Sequence, residues 1–267
     1  MSHESDLSFL NEPRLQFVFI PRKDVNKTTD YFIEVEKGIK IGCRFYVKSK
    51  NNPSFLYFHG NGEIVSDYDE IAPLYNERGI NLFVADYRGY GFSDGEPTII
   101  NMIRDSHIIF KGFKEIIERE GYKKYIFTMG RSIGNIPSIE LAYHYQGELS
   151  GLIVESGSAN TFSRLFNYVG LPLPVEKSIL EKIEETSSKK KIQSISIPTL
   201  IIHGEYDDLV PLSEGLELYE NSGAEYKNSI IIPNADHNSL IFLGKDLYFS
   251  AVEEFVKTVE ERKWKTL

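Results

Sequence analysis

From Ser54 onward, short apolar runs alternate with stretches of helical spacing, and this rhythm constrains the fold more than any other feature of the 267 residues. The runs Ser54–Phe58, Asn81–Ala85, Lys124–Met129, Gly151–Glu155, Thr199–His203 and Ser229–Ile232 are rich in Ile, Val, Phe and Tyr, and Gly, Pro or Asn bounds them. Helical spacing fills Glu63–Glu77, Ile99–Glu120, Ile136–Tyr145, Ser213–Asn221 and Leu240–Arg262. Strands separated by helices imply a parallel sheet with right-handed crossovers. Helices on both faces explain why these strands are apolar throughout. Three earlier runs, Leu15–Ile20, Tyr31–Glu36 and Ile41–Val47, follow one another closely, with a turn at Lys37-Gly38, and are expected to be antiparallel.

The rhythm breaks between Gly157 and Ser196, which is longer than a crossover needs. The segment holds Phe162, Phe166 and Tyr168, a Leu-Pro-Leu-Pro run at 171–174, and an amphipathic stretch from Val175 to Lys191. It reads as a small cap within one domain spanning 1–267, with a long decorated crossover as the alternative. Lys189–Lys191 is expected to be a solvated helix face.

Composition narrows the function classes. Asp and Glu number 39 against 30 Lys and Arg, a net charge of −9, with no basic stripe bearing interleaved aromatics. No nucleic-acid partner is expected. The single cysteine, Cys43, can form no internal disulfide, and no Cys/His group has zinc spacing. The polar first eleven residues lack a secretory apolar stretch, and no run is long enough to span a bilayer. A cytoplasmic protein, monomeric or a small homo-oligomer, is expected.

Gly130-Arg131-Ser132-Ile133-Gly134 matches G-x-S-x-G, between a predicted strand and a predicted helix. Alone the match is weak; that context gives it weight. A sharp strand-to-helix turn lifts a serine hydroxyl out of the sheet and aims helix N–H groups at developing negative charge. The competing reading is an ordinary turn with a capping serine. Pro137 implies a kinked or late-starting helix. A serine needs a base, and His237, in the loop after the last predicted strand, is the best of six histidines. The acid that orients it is assigned to Asp207, in Gly204-Glu205-Tyr206-Asp207-Asp208. Sequence leaves Asp208 open, with Glu155 a remote third candidate, and Glu205 is expected to be a plain loop carboxylate. His59-Gly60-Asn61-Gly62 follows a strand where an oxyanion donor belongs. The backbone N–H groups of Asn61 and Ile133 are the expected donors, with Gly62 the fallback for the first, so replacing the Asn61 side chain is expected to change little. His59 and His203 are expected to be structural; His3, His107 and His144 are expected at the surface.

These residues carry a resemblance. From about Tyr31 the chain resembles the α/β-hydrolase-domain (ABHD-like) serine hydrolases. Asp86-Tyr87-Arg88-Gly89-Tyr90-Gly91-Phe92-Ser93-Asp94-Gly95 is similar to the family's D-Y-x-G-Y-G-x-S-x-G segment. Ile201-Ile202-His203-Gly204-x-x-Asp207 resembles its acid loop and favours Asp207 over Asp208; His237-Asn238 resembles its histidine loop. Ser132-Ile133-Gly134 followed by Ile136-Pro137-Ser138 resembles the branch containing the protein depalmitoylases, where the proline is usual. The resemblance implies an α/β-hydrolase fold and a Ser132–His237–Asp207 triad. Membrane-targeted depalmitoylases carry a cysteine-rich N-terminal segment that these residues do not show, which argues against membrane-protein substrates while leaving thioesters open.

The expected reaction is acyl transfer from a small-to-medium ester, with thioester or amide next, and no cofactor or metal. Phe162, Leu165, Phe166 and Tyr168 are candidates for an acyl pocket, against simple cap packing. The rivals are a peptidase, lyase or C–C hydrolase using the same triad, and a non-enzymatic hydrolase-like binding protein.

Overall fold

The computed structural model describes residues 7–25 and 29–262. Eight strands form one sheet: β1 (Tyr31–Glu36), β2 (Ile39–Tyr46), β3 (Ser54–Phe58), β4 (Asn81–Ala85), β5 (Ile126–Arg131), β6 (Gly151–Glu155), β7 (Thr199–Gly204) and β8 (Lys227–Ile232), in the order β1-β2-β4-β3-β5-β6-β7-β8. The β1–β2 and β2–β4 pairs are antiparallel, and the pairs from β4 to β8 are parallel. This is the α/β-hydrolase architecture, antiparallel at its N-terminal edge.

Strand periodicity divides the core between two faces. In β3, Leu56 and Phe58 join Phe83, Phe113 and Ile139, while Phe55 and Tyr57 join Tyr75, Met129 and Phe249. Helices α2 (Ile99–Glu120) and α3 (Asn135–His144) cover the first face; α1 (Ala72–Glu77) and α8 (Leu240–Arg262) cover the second. Helices α4 (Thr161–Tyr168), α5 (Lys177–Thr186) and α6 (Ser188–Ile192) lie in sequence between β6 and β7, and α7 (Leu212–Asn221) lies between β7 and β8.

Three expectations need correction. Leu15–Ile20 is no strand: Pro13–Val18 is a 3-10 helix that buries Leu15 and Val18. A short apolar run cannot be told from a buried helical turn by periodicity alone, and Pro13 at its start sets a helical φ. The helix predicted over Glu63–Glu77 is split into a 3-10 helix, Val65–Asp69, and α1. Pro73 falls in the first turn of α1, where a missing N–H costs nothing, so the helix restarts there. Lys191 is not solvated. It is buried and paired with Glu140 on α3, while Lys189 pairs with Glu217 at 2.9 Å.

Candidate active site

The parallel strands deliver their carboxyl ends to one edge of the sheet, where ligands collect in open α/β sheets. Strand β5 turns sharply there, and Ser132 takes a left-handed φ of 54°. Such a value is uncommon outside glycine and marks stored strain. The flanking glycines are required by close approach. A Cβ on Gly130 would lie 2.2 Å from the Gly134 carbonyl oxygen, and one on Gly134 would lie 2.1 Å from that of Phe58. A 3-10 turn, Ser132–Gly134, then leads into α3. The helix therefore starts late, as Pro137 implies, with the proline in its first turn.

His237 Nε2 lies 2.9 Å from Ser132 Oγ, and His237 Nδ1 lies 2.8 Å from Asp207 Oδ2. Both His237 and Asp207 are buried. Asp207 Oδ1 accepts the amides of Leu209 (3.1 Å) and Val210 (2.7 Å). Burial pushes this carboxyl up, but hydrogen bonds from His203, His237 and the Val210 amide outweigh it and hold it well below the usual carboxylate range. His203 Nε2 lies 3.4 Å from Asp207 Oδ2 and 2.8 Å from the Val210 carbonyl, so it braces the acid loop. Asp208 and Glu205 are exposed, and Glu205 accepts the Asn234 amide. His59 is fully buried beside Asp86, at 3.2 Å. His144 is exposed, as expected, whereas His107 is half-buried at 28%; both meet at Glu140. His3 lies outside the described residues.

Loop 59–62 is held from below by the Asp86–Gly95 segment. Tyr87 donates to the His59 carbonyl at 2.5 Å, and Tyr90 donates to Asn61 Oδ1 at 2.7 Å. The Asn61 side chain also accepts the Ile20 amide (3.0 Å) and donates to the Val18 carbonyl (2.6 Å). That side chain thus ties the N-terminal segment to the loop, a contact that the sequence did not reveal.

Sequence reasoning missed Arg131, the second residue of the G-x-S-x-G motif. Its guanidinium is 13% exposed and pairs with Glu63 and, at 3.1 Å, with Glu155. Nη2 donates to the His237 carbonyl and to Asn238 Oδ1, both at 2.9 Å. Glu63 in turn accepts the Gly60 amide (2.8 Å) and the Tyr68 hydroxyl (2.6 Å), and Tyr248 of α8 donates to Glu155 at 2.6 Å. One cation therefore links the elbow, loop 60–63, the end of β6 and the histidine loop. Burial raises Glu63, but Arg131 and Tyr68 bring it below its ordinary value; burial keeps Glu155 above its own, only partly offset by Arg131. The only sequence signal was a charged residue inside the motif and a glutamate three residues after Gly60.

A cavity of about 250 Å³ opens over Ser132. Ile133 and Asn61 line it, with Val18, Ile20, Ile136 and Val210 among its apolar walls. Of the four proposed pocket residues, Leu165 and Tyr168 line it and Phe162 and Phe166 do not. The helical period explains the division. Positions 161, 164, 165 and 168 of α4 share the cavity face, whereas Phe162 and Phe166 are buried in the core, Phe162 edge-on to Phe9 at 5.5 Å.

The family model described as "Serine aminopeptidase, S33" matches residues 49–165. The protein bem46 of Schizosaccharomyces pombe is 31% identical over 211 residues, covering 78% of this chain and 68% of that protein. The chain belongs to the α/β-hydrolase family. Human alpha/beta hydrolase domain-containing protein 17B is 29% identical over 232 residues, 85% of this chain and 74% of that one. Among solved structures, Est1E from Butyrivibrio proteoclasticus with bound ferulic acid superposes with a TM-score of 0.70 at 20% identity, covering 87% of this chain and all of that one. The Pyrococcus furiosus esterase Pf2001 superposes with a TM-score of 0.68 at 20% identity, covering 89% and 98%. These two likenesses establish the fold. Among the described residues, no helix is long and apolar enough to cross a membrane.

Proposed function

We propose that this α/β-hydrolase cleaves carboxylic esters, or thioesters, of small-to-medium acyl groups through an acyl-enzyme on Ser132. The observation that carries the reading is the unbroken path from Asp207 through His237 to Ser132, at 2.8 and 2.9 Å, beneath a mostly apolar cavity. Ser132 Oγ attacks the acyl carbon as His237 Nε2 takes its proton. Asp207 holds the imidazole by Nδ1 and stabilises the imidazolium. The N–H groups of Asn61 and Ile133 receive the oxyanion, each contributing about 3 kcal/mol. The C–O bond breaks as His237 returns the proton to the leaving alkoxide. Water, activated by the same imidazole, then attacks the acyl-enzyme, and the carboxylic acid departs with Ser132 Oγ reprotonated. In this reading residues 157–196 form a small cap within the single domain, and α4 supplies Leu165 and Tyr168 to the acyl wall.

An aminopeptidase reading is less favoured. A free α-ammonium needs an anion near the scissile bond, and no Asp or Glu is among the described residues lining the cavity. Its two charged residues are Arg131, already paired, and Arg164, which donates to the Leu209 carbonyl at 2.7 Å. Kinetics on p-nitrophenyl esters from acetate to palmitate, beside aminoacyl-anilides, test this. The expected result is ester turnover with a maximum at or below octanoate. Faster turnover of the anilides, or no ester turnover, would overturn it.

A further inference from the structure

On the α2–α3 face, three side chains outside the catalytic constellation converge. Glu140 and His144 stand one turn apart on α3, so both face α2, which contributes His107. His144 Nε2 and His107 Nε2 lie 3.0 Å and 3.4 Å from the same oxygen, Glu140 Oε1. The three potential ligand atoms lie within 4.8 Å of one another. They border a different cavity from the one above Ser132, together with Arg104, Tyr143 and Gln146.

We propose that His107, Glu140 and His144 form a binding site for a divalent transition-metal ion of the zinc class, which staples α2 to α3. Ligands about 2.0–2.1 Å from a tetrahedral ion stand about 3.3 Å from one another. Two of the three edges already have that length, and the partly exposed His144 ring can swing to close the third. The outer atoms of His107 and Glu140 are tied as metal ligands require. The Tyr145 hydroxyl lies 2.9 Å from His107 Nδ1, and buried Lys191 occupies Glu140 Oε2, leaving Oε1 as a single ligand oxygen. In the metal-bound state His107 would give up its Nε2 contact to Glu140 and, with Nδ1–H donated to the Tyr145 hydroxyl, would present the Nε2 lone pair to the ion. Two imidazoles and one carboxylate favour zinc-class ions over magnesium or calcium. The fourth position opens to the cavity and takes water. Sequence spacing hid this site, because His107 lies 33 positions before Glu140.

Chelator-stripped full-length protein titrated with Zn²⁺ by calorimetry, and with Co²⁺ by visible absorption, tests the proposal. One ion per chain is expected, with the intense d–d bands of tetrahedral Co²⁺ and a thermal midpoint that rises with metal. His144→Ala is expected to weaken binding by more than about 100-fold and Tyr145→Phe by about 10- to 100-fold, while His237→Ala keeps the stoichiometry. Absence of stoichiometric binding by the wild type would overturn the proposal, leaving a Glu140 ion-pair cluster. Unchanged binding by folded His144→Ala and His107→Ala would also overturn it. Should His144→Ala fail to fold, the wild-type Co²⁺ spectrum and Tyr145→Phe still decide.

Discussion

On one side of the cavity over Ser132, Arg131 joins the histidine loop, the elbow, loop 60–63 and the end of β6 through hydrogen bonds and ion pairs. On the other side, Val18, Ile20, Leu165, Tyr168 and Leu209 present mainly apolar surface, and Ile20 and Tyr168 are each 56% exposed. Hydrogen bonds are directional and expensive to leave unmade, so the first side holds one geometry. Apolar contact is non-directional, so the second side can accommodate acyl groups of different shape. Under the proposed function, the contrast assigns the chemistry to a buried polar network and the substrate range to a soft wall.

The contrast can be broken first at its chemical centre. Ser132→Ala is expected to lower kcat for a p-nitrophenyl ester by about 10⁴-fold or more, with binding of a product carboxylate unchanged. Arg131→Met comes next. It strands Glu63 and Glu155 without their cation, and losing one partner of a buried pair costs about 3–5 kcal/mol. Urea unfolding should report that loss. In the folded fraction kcat should drop about 10- to 100-fold with KM nearly constant, because the histidine loop, not the wall, has moved. An equal rise in KM would contradict the division of labour.

Asn61→Ala sharpens the comparison, since its side chain joins the two sides. Without its bonds to Val18, Ile20 and Tyr90, kcat/KM is expected to fall about 10-fold, and limited proteolysis should cut the N-terminal segment sooner. On the soft wall, Tyr168→Ala and Leu165→Ala are expected to shift the preferred acyl length by changing relative kcat/KM less than about 10-fold, leaving kcat on the best ester within about threefold. The smallest effect is on stability against pH. Asp207 titrates below its ordinary value in the folded chain, so its stabilisation is present above the unfolded carboxylate range near pH 4 and is lost as pH falls through the lower folded value. Urea midpoints measured from pH 5 downward should therefore decline less steeply for Asp207→Asn than for the wild type.

The elements that could be read from the chain are those whose cause is local. The β3–β8 rhythm follows from apolar runs and helical spacing, and the elbow follows from two glycines that admit close backbone approach. Ser132, Asp207 and His237 each stand in a loop at a strand's carboxyl end, where position in the alternation already suggests a shared edge. What could not be read depends on distant partners. Arg131 looks like any exposed cation until Glu63, Glu155 and the His237 carbonyl are folded around it. Lys191 sits in a run of three lysines, and only the packing of α6 against α3 turns it toward Glu140. The face of α4 was open to calculation from its period, but which face met the cavity was not. Leu15–Ile20 misled because a six-residue run, five of its residues apolar, carries too little periodicity to separate a strand from a buried helical turn.

The central claim is that Ser132 is a nucleophile activated by His237. Incubation with a fluorophosphonate probe, followed by peptide mass mapping, tests it most directly. The account predicts a single adduct on Ser132, formed much more slowly in His237→Ala. An unlabelled Ser132 in folded protein, or ester hydrolysis that survives Ser132→Ala, would contradict it.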